Sequence, residues 1–262
     1  MRVLCNDAAQ HGGSEMTDWW AGASRAIGRH LRREVHQCRS ELARLSAAER
    51  KPMSIMSAVA WSTSLVVLGN AVVIAGRRWG HSDLITLAAI PTMGLAGASL
   101  LRRRGWSWRD LGVRPLAPDP PARLPNGLLF AMFAVGLVFA LVGVLSFTAG
   151  TALSVVRVLI GTAGGEELVH RGVVLGAWAS TPVRGRWIVA ANMVTFGMWH
   201  IASATPCTGF RWWEVAIPTA GAAIFLWARL RFRSLLAPIA LHAGGNMPGA
   251  VLEGPLSCAV AG

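Results

Sequence analysis

Gly164-Gly165-Glu166-Glu167-Leu168-Val169-His170-Arg171-Gly172-Val173-Val174-Leu175-Gly176-Ala177-Trp178 is the stretch that decides the fold. Four ionisable residues, Glu166, Glu167, His170 and Arg171, sit inside a run that is otherwise apolar. At membrane depth each charged group costs roughly 2.5–3.5 kcal/mol at a helix centre, so a chain that keeps four together keeps them for a site. Helical spacing predicts Glu166 over His170 and Glu167 over Arg171, each pair i to i+4. Two later apolar segments carry one histidine each, His200 and His242, and Asn246 follows the second by one turn. The pattern reads as a catalytic centre buried in a helical membrane bundle.

Composition supports the membrane half of that reading. The 262 residues are 53% hydrophobic with a mean hydropathy of +0.45, and 15% are charged. Soluble domains carry about 25% charged residues. The formal charge of +12 suggests nucleic acid at first sight. The arginines, however, cluster in short gaps between apolar runs, as in polytopic membrane proteins, so no nucleic acid partner is expected. Cys5, Cys38, Cys207 and Cys258 show neither C-x-x-C nor a regular spacing, which supports no zinc knuckle and no disulfide framework. Cys258 stands fifth from the end of the sequence, one place off a prenylation box. No apolar h-region occurs in the first thirty residues, so no cleavable signal is expected there.

Residues 1–16 are polar and small and are expected to lack regular structure. From Thr17 to Lys51 apolar residues recur at helical spacing, at Leu31, Val35, Cys38, Leu42 and Leu45, with Arg and Glu between them. An amphipathic helix packed on the protein or the lipid interface is the first reading of this arm (residues 1–52), and a coiled coil with an unidentified partner is the second. Residues 53–262 form the transmembrane domain. A bilayer core of about 30 Å takes about 20 helical residues. Seven spans are expected, at 53–76, 84–101, 126–148, 151–180, 187–205, 213–230 and 234–251, the fourth broken near Gly161, Gly164 and Gly165. The fold class is therefore all-α, a polytopic bundle. With the N-terminus inside, 20 basic residues fall on inside segments and three on outside ones. That bias predicts a multi-pass protein of the cell membrane with a cytoplasmic N-terminus. In this topology Glu166, His200, His242 and Asn246 lie roughly 21, 20, 12 and 18 Å from the inner face, at 1.5 Å rise per residue. Three separate spans thus bring their polar groups to one layer.

A carboxylate beside a histidine in a low-dielectric pocket can deprotonate a water. A second histidine and an amide can stabilise the oxyanion that forms when the water attacks a carbonyl. Arg171 has the natural role of holding Glu167, or both glutamates, by a charge-assisted pair. Glu166-Glu167-Leu168-Val169-His170-Arg171 fits E-E-x-x-x-R, Phe196-Gly197-Met198-Trp199-His200 fits F-x-x-x-H, and His242-Ala243-Gly244-Gly245-Asn246 fits H-x-x-x-N. In this order on successive membrane segments, the three motifs resemble the CPBP (Abi) family of intramembrane proteases, which includes the type II CAAX prenyl proteases. Trp108-Arg109-Asp110-Leu111-Gly112-Val113-Arg114 resembles a loop that bacterial members carry before the core, and the resemblance covers about 107–251.

That resemblance implies an intramembrane endopeptidase acting on a membrane-associated or lipidated peptide. It makes Glu166 and His200 the pair that activates water, His242 and Asn246 the oxyanion donors, and Glu167 and Arg171 their supports. If a metal took part, Glu166, His200 and His242 would be its zinc ligands. No H-E-x-x-H is present, and a metal-free site without cofactor is the expectation. His170 departs from the family, which has an aromatic residue there.

Four rival readings are weaker. A rhomboid-like serine protease would use Ser99 and His242, but Ser99 lies three residues from Arg102, at the inner surface, and leaves the glutamates unexplained. No expected span contains Asp, which argues against an aspartyl intramembrane protease. A proton-coupled transporter should show repeated halves with broken helices, and no such repeat is visible. A membrane immunity or scaffold protein that kept the pocket without hydrolysis is the remaining non-enzymatic reading.

Overall fold

Runs of apolar residues longer than a soluble helix can hide make nearly all of the described residues helical. The computed structural model describes residues 6–47, 50–79, 82–116, 138, 149–204 and 209–252. Among them there is no strand. Helices α1 (Asn6–Ala47), α2 (Ile55–Trp79) and α3 (Ser82–Arg103) come first. A long helical passage follows, made of α4 (Ala149–Val156), a first π-helical run (Arg157–Gly165), a second (Leu168–Val174) and α5 (Leu175–Ala179). The chain ends with α6 (Gly185–Trp199), α7 (Trp213–Phe232) and α8 (Leu236–Leu252).

Residues 1–40 form one unit and 41–262 the other. In the first, the helix starts at Asn6, so the expectation of irregular structure through residue 16 is corrected for 6–16. Ala8, Ala9 and Gln10 are strong helix formers, and Gly12-Gly13 did not outweigh them. Leu31 and Val35 of the predicted stripe are exposed, as is Ile27 one turn before them. Leu42 and Leu45, in the second unit, are buried.

Among the described residues, three helices are long and apolar enough to cross a membrane: Ile55–Trp79, Leu84–Arg103 and Trp213–Phe232. The span expected at 126–148 lies outside the described residues, apart from Val138. Those at 151–180, 187–205 and 234–251 are helical, but α6 and α8 have 15 and 17 residues. At 1.5 Å per residue that is about 22 and 25 Å, short of a hydrocarbon core of about 30 Å.

The expected break near Gly161–Gly165 is not a break. The chain stays helical and widens into π turns, which are rare and concentrate at functional sites. The reason is a tight seam with α3. A Cβ on Gly165 would come within 2.9–3.1 Å of Ile90 and Pro91, and one on Gly161 within 3.1–3.3 Å of the Thr86–Leu87 backbone. From the other side, Gly94 admits Leu168 and Gly97 admits Val173. Small residues at close spacing let membrane helices approach without side chains between them. This seam fixes the glutamates against a rigid neighbour.

Candidate functional site

Glu166 and Glu167 are the two residues that join the π-helical runs. Both are buried, Glu166 with 5% and Glu167 with 0% of its surface exposed. Arg171 and His170 also have none exposed, and His242 has 4%. Such a set survives burial only if its members compensate one another.

Glu167 is the hub. One carboxylate oxygen, Oε1, accepts a hydrogen bond from Nδ1 of His242 at 2.9 Å. The other, Oε2, lies 3.2 Å from Nε of Arg171, which makes an ion pair whose N–H is not aligned as a hydrogen bond. Arg171 also donates from Nη2 to the Ala222 carbonyl at 3.3 Å. Its guanidinium lies 4.1 Å from the Phe196 ring centroid and 5.2 Å from that of Phe225. A buried cation over two aromatic faces gains about 2 kcal/mol or more when desolvated.

Glu166 faces the two imidazoles. Its Oε2 is 4.0 Å from Nε2 of His200 and 3.9 Å from Nε2 of His242. The other ring nitrogen of each histidine is already committed. Nδ1 of His200 donates to the Phe196 carbonyl at 2.8 Å, and Nδ1 of His242 donates to Glu167. In their neutral forms both rings therefore present a lone pair on Nε2 toward Glu166. With Arg171 the single guanidinium beside two carboxylates, the site is charge-balanced when one proton is held among Glu166 and the two Nε2 atoms.

Phe196 holds the cluster together. Its ring meets His170, His200 and His242 edge-on at centroid distances of 5.0, 4.9 and 5.8 Å. Phe225 stacks on His242 at 4.9 Å. His170 packs edge-on against Phe196 and Trp199, and neither ring nitrogen has a hydrogen-bond partner among the described residues. It occupies an aromatic place and makes no polar contact with Glu166 of the kind i, i+4 spacing predicted, although Glu167 and Arg171 do pair at that spacing. Buried Asn192 of α6 donates to the His170 carbonyl at 2.7 Å and ties α6 to the second π-helical run. In the sequence Phe196 stands only as the first residue of F-x-x-x-H, and Asn192 belongs to no motif. A lone amide in an apolar run was the available signal.

Glu166, Glu167, Arg171, His200 and His242 thus come together from three segments. Asn246 does not join them here. It lies one turn beyond His242 on α8, on the exposed side, with no polar contact to the cluster among the described residues. Ser99 is spent on its own helix, donating to the Leu95 carbonyl at 2.8 Å. The zinc set fits poorly. Tetrahedral zinc at about 2.0–2.2 Å from its ligands sets them about 3.3–3.6 Å apart. The Glu166–imidazole spacings exceed that, and no group of three His, Cys, Asp or Glu among the described residues has metal-holding geometry.

Residues 148–248 match the family model described as type II CAAX prenyl endopeptidase Rce1-like. The match contains every residue of the cluster and covers 101 of the 262 residues, so over this stretch the chain is similar to that family. The loop at 107–114 and helices α1–α3 lie outside it. No curated protein and no solved structure matches the chain.

Proposed function

We propose that this CAAX-protease-like chain is an intramembrane endopeptidase that hydrolyses a peptide bond with a water activated by Glu166 and His200. The observation that carries the reading is that Oε2 of Glu166 lies within 4.0 Å of Nε2 of both His200 and His242, the three residues coming from three separate segments.

The spacings suit a shared water. A molecule hydrogen-bonded at about 2.8 Å to two partners spans about 4–4.6 Å between them. Held by Glu166 and His200, it gives a proton to this pair as its oxygen adds to the peptide carbonyl carbon. The carbonyl oxygen takes up the negative charge. The proton then passes to the leaving nitrogen, the C–N bond breaks, and a carboxylic acid and an amine result. His242 serves the oxyanion. Because its Nδ1 donates to Glu167, Nε2 can donate only when the ring is the imidazolium. Arg171 holds Glu167 in place. Asn246 is the rim donor, engaging once substrate covers the exposed end of α8. No metal or cofactor is assigned, and no step runs through one. The substrate is a lipidated or membrane-embedded peptide, the bilayer is the other partner, and the basic end of the bundle faces the cytoplasm.

Purified protein incubated with a library of lipidated and membrane-embedded peptides tests this. Wild type is expected to cleave. Glu166→Gln, His200→Ala and His242→Ala are expected to be inactive and Asn246→Ala partly active. Persisting cleavage in Glu166→Gln or His200→Ala overturns the assigned roles. A wild type that cleaves nothing but moves a solute into liposomes supports a transporter instead.

A further inference from the structure

His200 is the member of the cluster with the weakest local support. It stands just past the end of α6, as the C-cap, with φ −92° and ψ 4°. A turn follows it at Ile201–Ala204. A helix end has carbonyls without intrahelical partners and frays easily. The partners come from α2, a helix that the family model does not cover.

Gly69 and Asn70 meet this segment from both sides of His200. A Cβ on Gly69 would overlap the six-membered ring of Trp199, so glycine is what lets that indole lie on the α2 backbone. Asn70 donates from Nδ2 to the Met198 carbonyl at 3.0 Å and accepts at Oδ1 from the Ala202 N–H at 2.6 Å. One amide thus grips residues two before and two after His200. Two turns along α2, Arg77 donates to the Ala202 carbonyl at 2.7 Å and to the Ser203 carbonyl at 3.4 Å. The result is a clamp of four interhelical hydrogen bonds over Met198–Ser203, centred on the imidazole. Asn70 spends its amide on it, apart from one bond to the Val66 carbonyl on its own helix.

We propose that Asn70 and Arg77, with Gly69 admitting Trp199, are positioning residues that hold His200 in register with Glu166. The inference rests on the hydrolytic reading above and adds to it a part of the chain that reading does not use. Interhelical amide bonds are common structural glue in membranes. The distinguishing feature here is that both bonds end on the backbone flanking a reacting side chain, where displacement of about 1 Å costs on the order of 10²-fold in rate.

The test uses the full-length protein in nanodiscs, with Asn70→Leu and Arg77→Gln as probes. Ser62→Ala is the control, because Ser62 is also on α2 and accepts a hydrogen bond from Trp178 Nε1 at 2.9 Å, away from His200. Two readouts are taken: amide hydrogen exchange over residues 198–204, and kcat, KM and the pH profile of cleavage. Asn70→Leu is expected to speed exchange at 198–204, lower kcat by on the order of 10²-fold with KM unchanged, and displace the pH profile. Arg77→Gln should do the same less strongly, and it covers the case in which Asn70→Leu fails to fold. Ser62→Ala should leave both readouts alone. Unchanged exchange at 198–204 overturns the clamp. So does an equal fall of kcat in Ser62→Ala, or full activity in Asn70→Leu where Glu166→Gln is silent. If wild type cleaves nothing, the hydrolytic reading is what has failed, and the exchange comparison decides the clamp by itself.

Discussion

Arg171 and His170 are neighbours with no exposed surface and opposite needs. Arg171 neutralises Glu167 and lies over Phe196. Removing one partner of a buried pair leaves the other uncompensated, at about 3–5 kcal/mol. Arg171→Met is therefore expected to destabilise the protein by that amount and to abolish cleavage, as thermal unfolding in detergent and the peptide assay would show. His170 leaves two ring nitrogens without a partner among the described residues, and an unmet buried polar group costs about 1–3 kcal/mol. His170→Phe should keep the edge-on contacts with Phe196 and Trp199, remain active, and melt at a higher temperature than wild type. A fall in melting temperature would mean that the imidazole has a polar role. The acidic pair and Arg171 were legible as a site because charge in an apolar run is costly wherever it folds. The bond from His242 to Glu167 was not, since it joins residues 75 apart.

At the scale of elements, the seam between α3 and the π-helical runs sets where the glutamates point. Its close approaches depend on side chains that are absent. Gly165→Leu would drive atoms into Ile90 and Pro91, and overpacking of a tight core costs typically 1–3 kcal/mol, that is about 1–3 here as well. The expected outcome is a lowered melting temperature with cleavage lost, because the displaced run carries Glu166. Gly221→Leu is the comparison: a Cβ there meets only Phe225, at 4.0 Å, so the melting temperature should change little. The glycines of the first run were visible in the sequence as a weakness in a helix. That they widen the helix and do not break it depends on what α3 presents opposite them.

At the scale of the molecule, the basic segments gather at one end of the second unit. Arg44 donates to Asp110 at 3.0 Å and binds Glu41, and Arg50 lies 3.2 Å from the other Asp110 oxygen. Arg229 donates to the Asp110 carbonyl at 2.6 Å, Arg114 to the Arg233 carbonyl at 2.7 Å, and Arg233 pairs with Glu41 at 3.2 Å. The loop after α3 thus clips the end of α1 to the junction of α7 and α8. Gly112 is part of the clip, with φ +92° and Arg229 packed against its Cα. Burial pushes the Asp110 carboxyl up, but hydrogen bonds from Ser107 and Arg44 and the charge of Arg50 outweigh it and hold the group at about 2, below its ordinary 3.8. A carboxylate held low stabilises the fold above its unfolded value and loses that contribution as it is protonated. The melting-temperature gap between wild type and Asp110→Asn is therefore expected to be full above pH 4 and to close as pH falls from 3.8 toward 2. A gap that is constant over that window would show that the clip does not depend on the carboxylate.

The sequence by itself determined that this protein is helical, that it belongs in a membrane, and that Glu166, Glu167, Arg171, His200 and His242 are its candidate site residues. Those conclusions need only hydropathy, helical spacing and the cost of charge in an apolar run, all of them properties of neighbouring residues. The tertiary structure decided which imidazole nitrogen faces Glu166, that Glu167 serves His242 as well as Arg171, that Asn246 stands outside the cluster, and that α2 grips the chain around His200. Each of these depends on the approach of segments far apart in the chain, set by where side chains are small enough to let two helices meet.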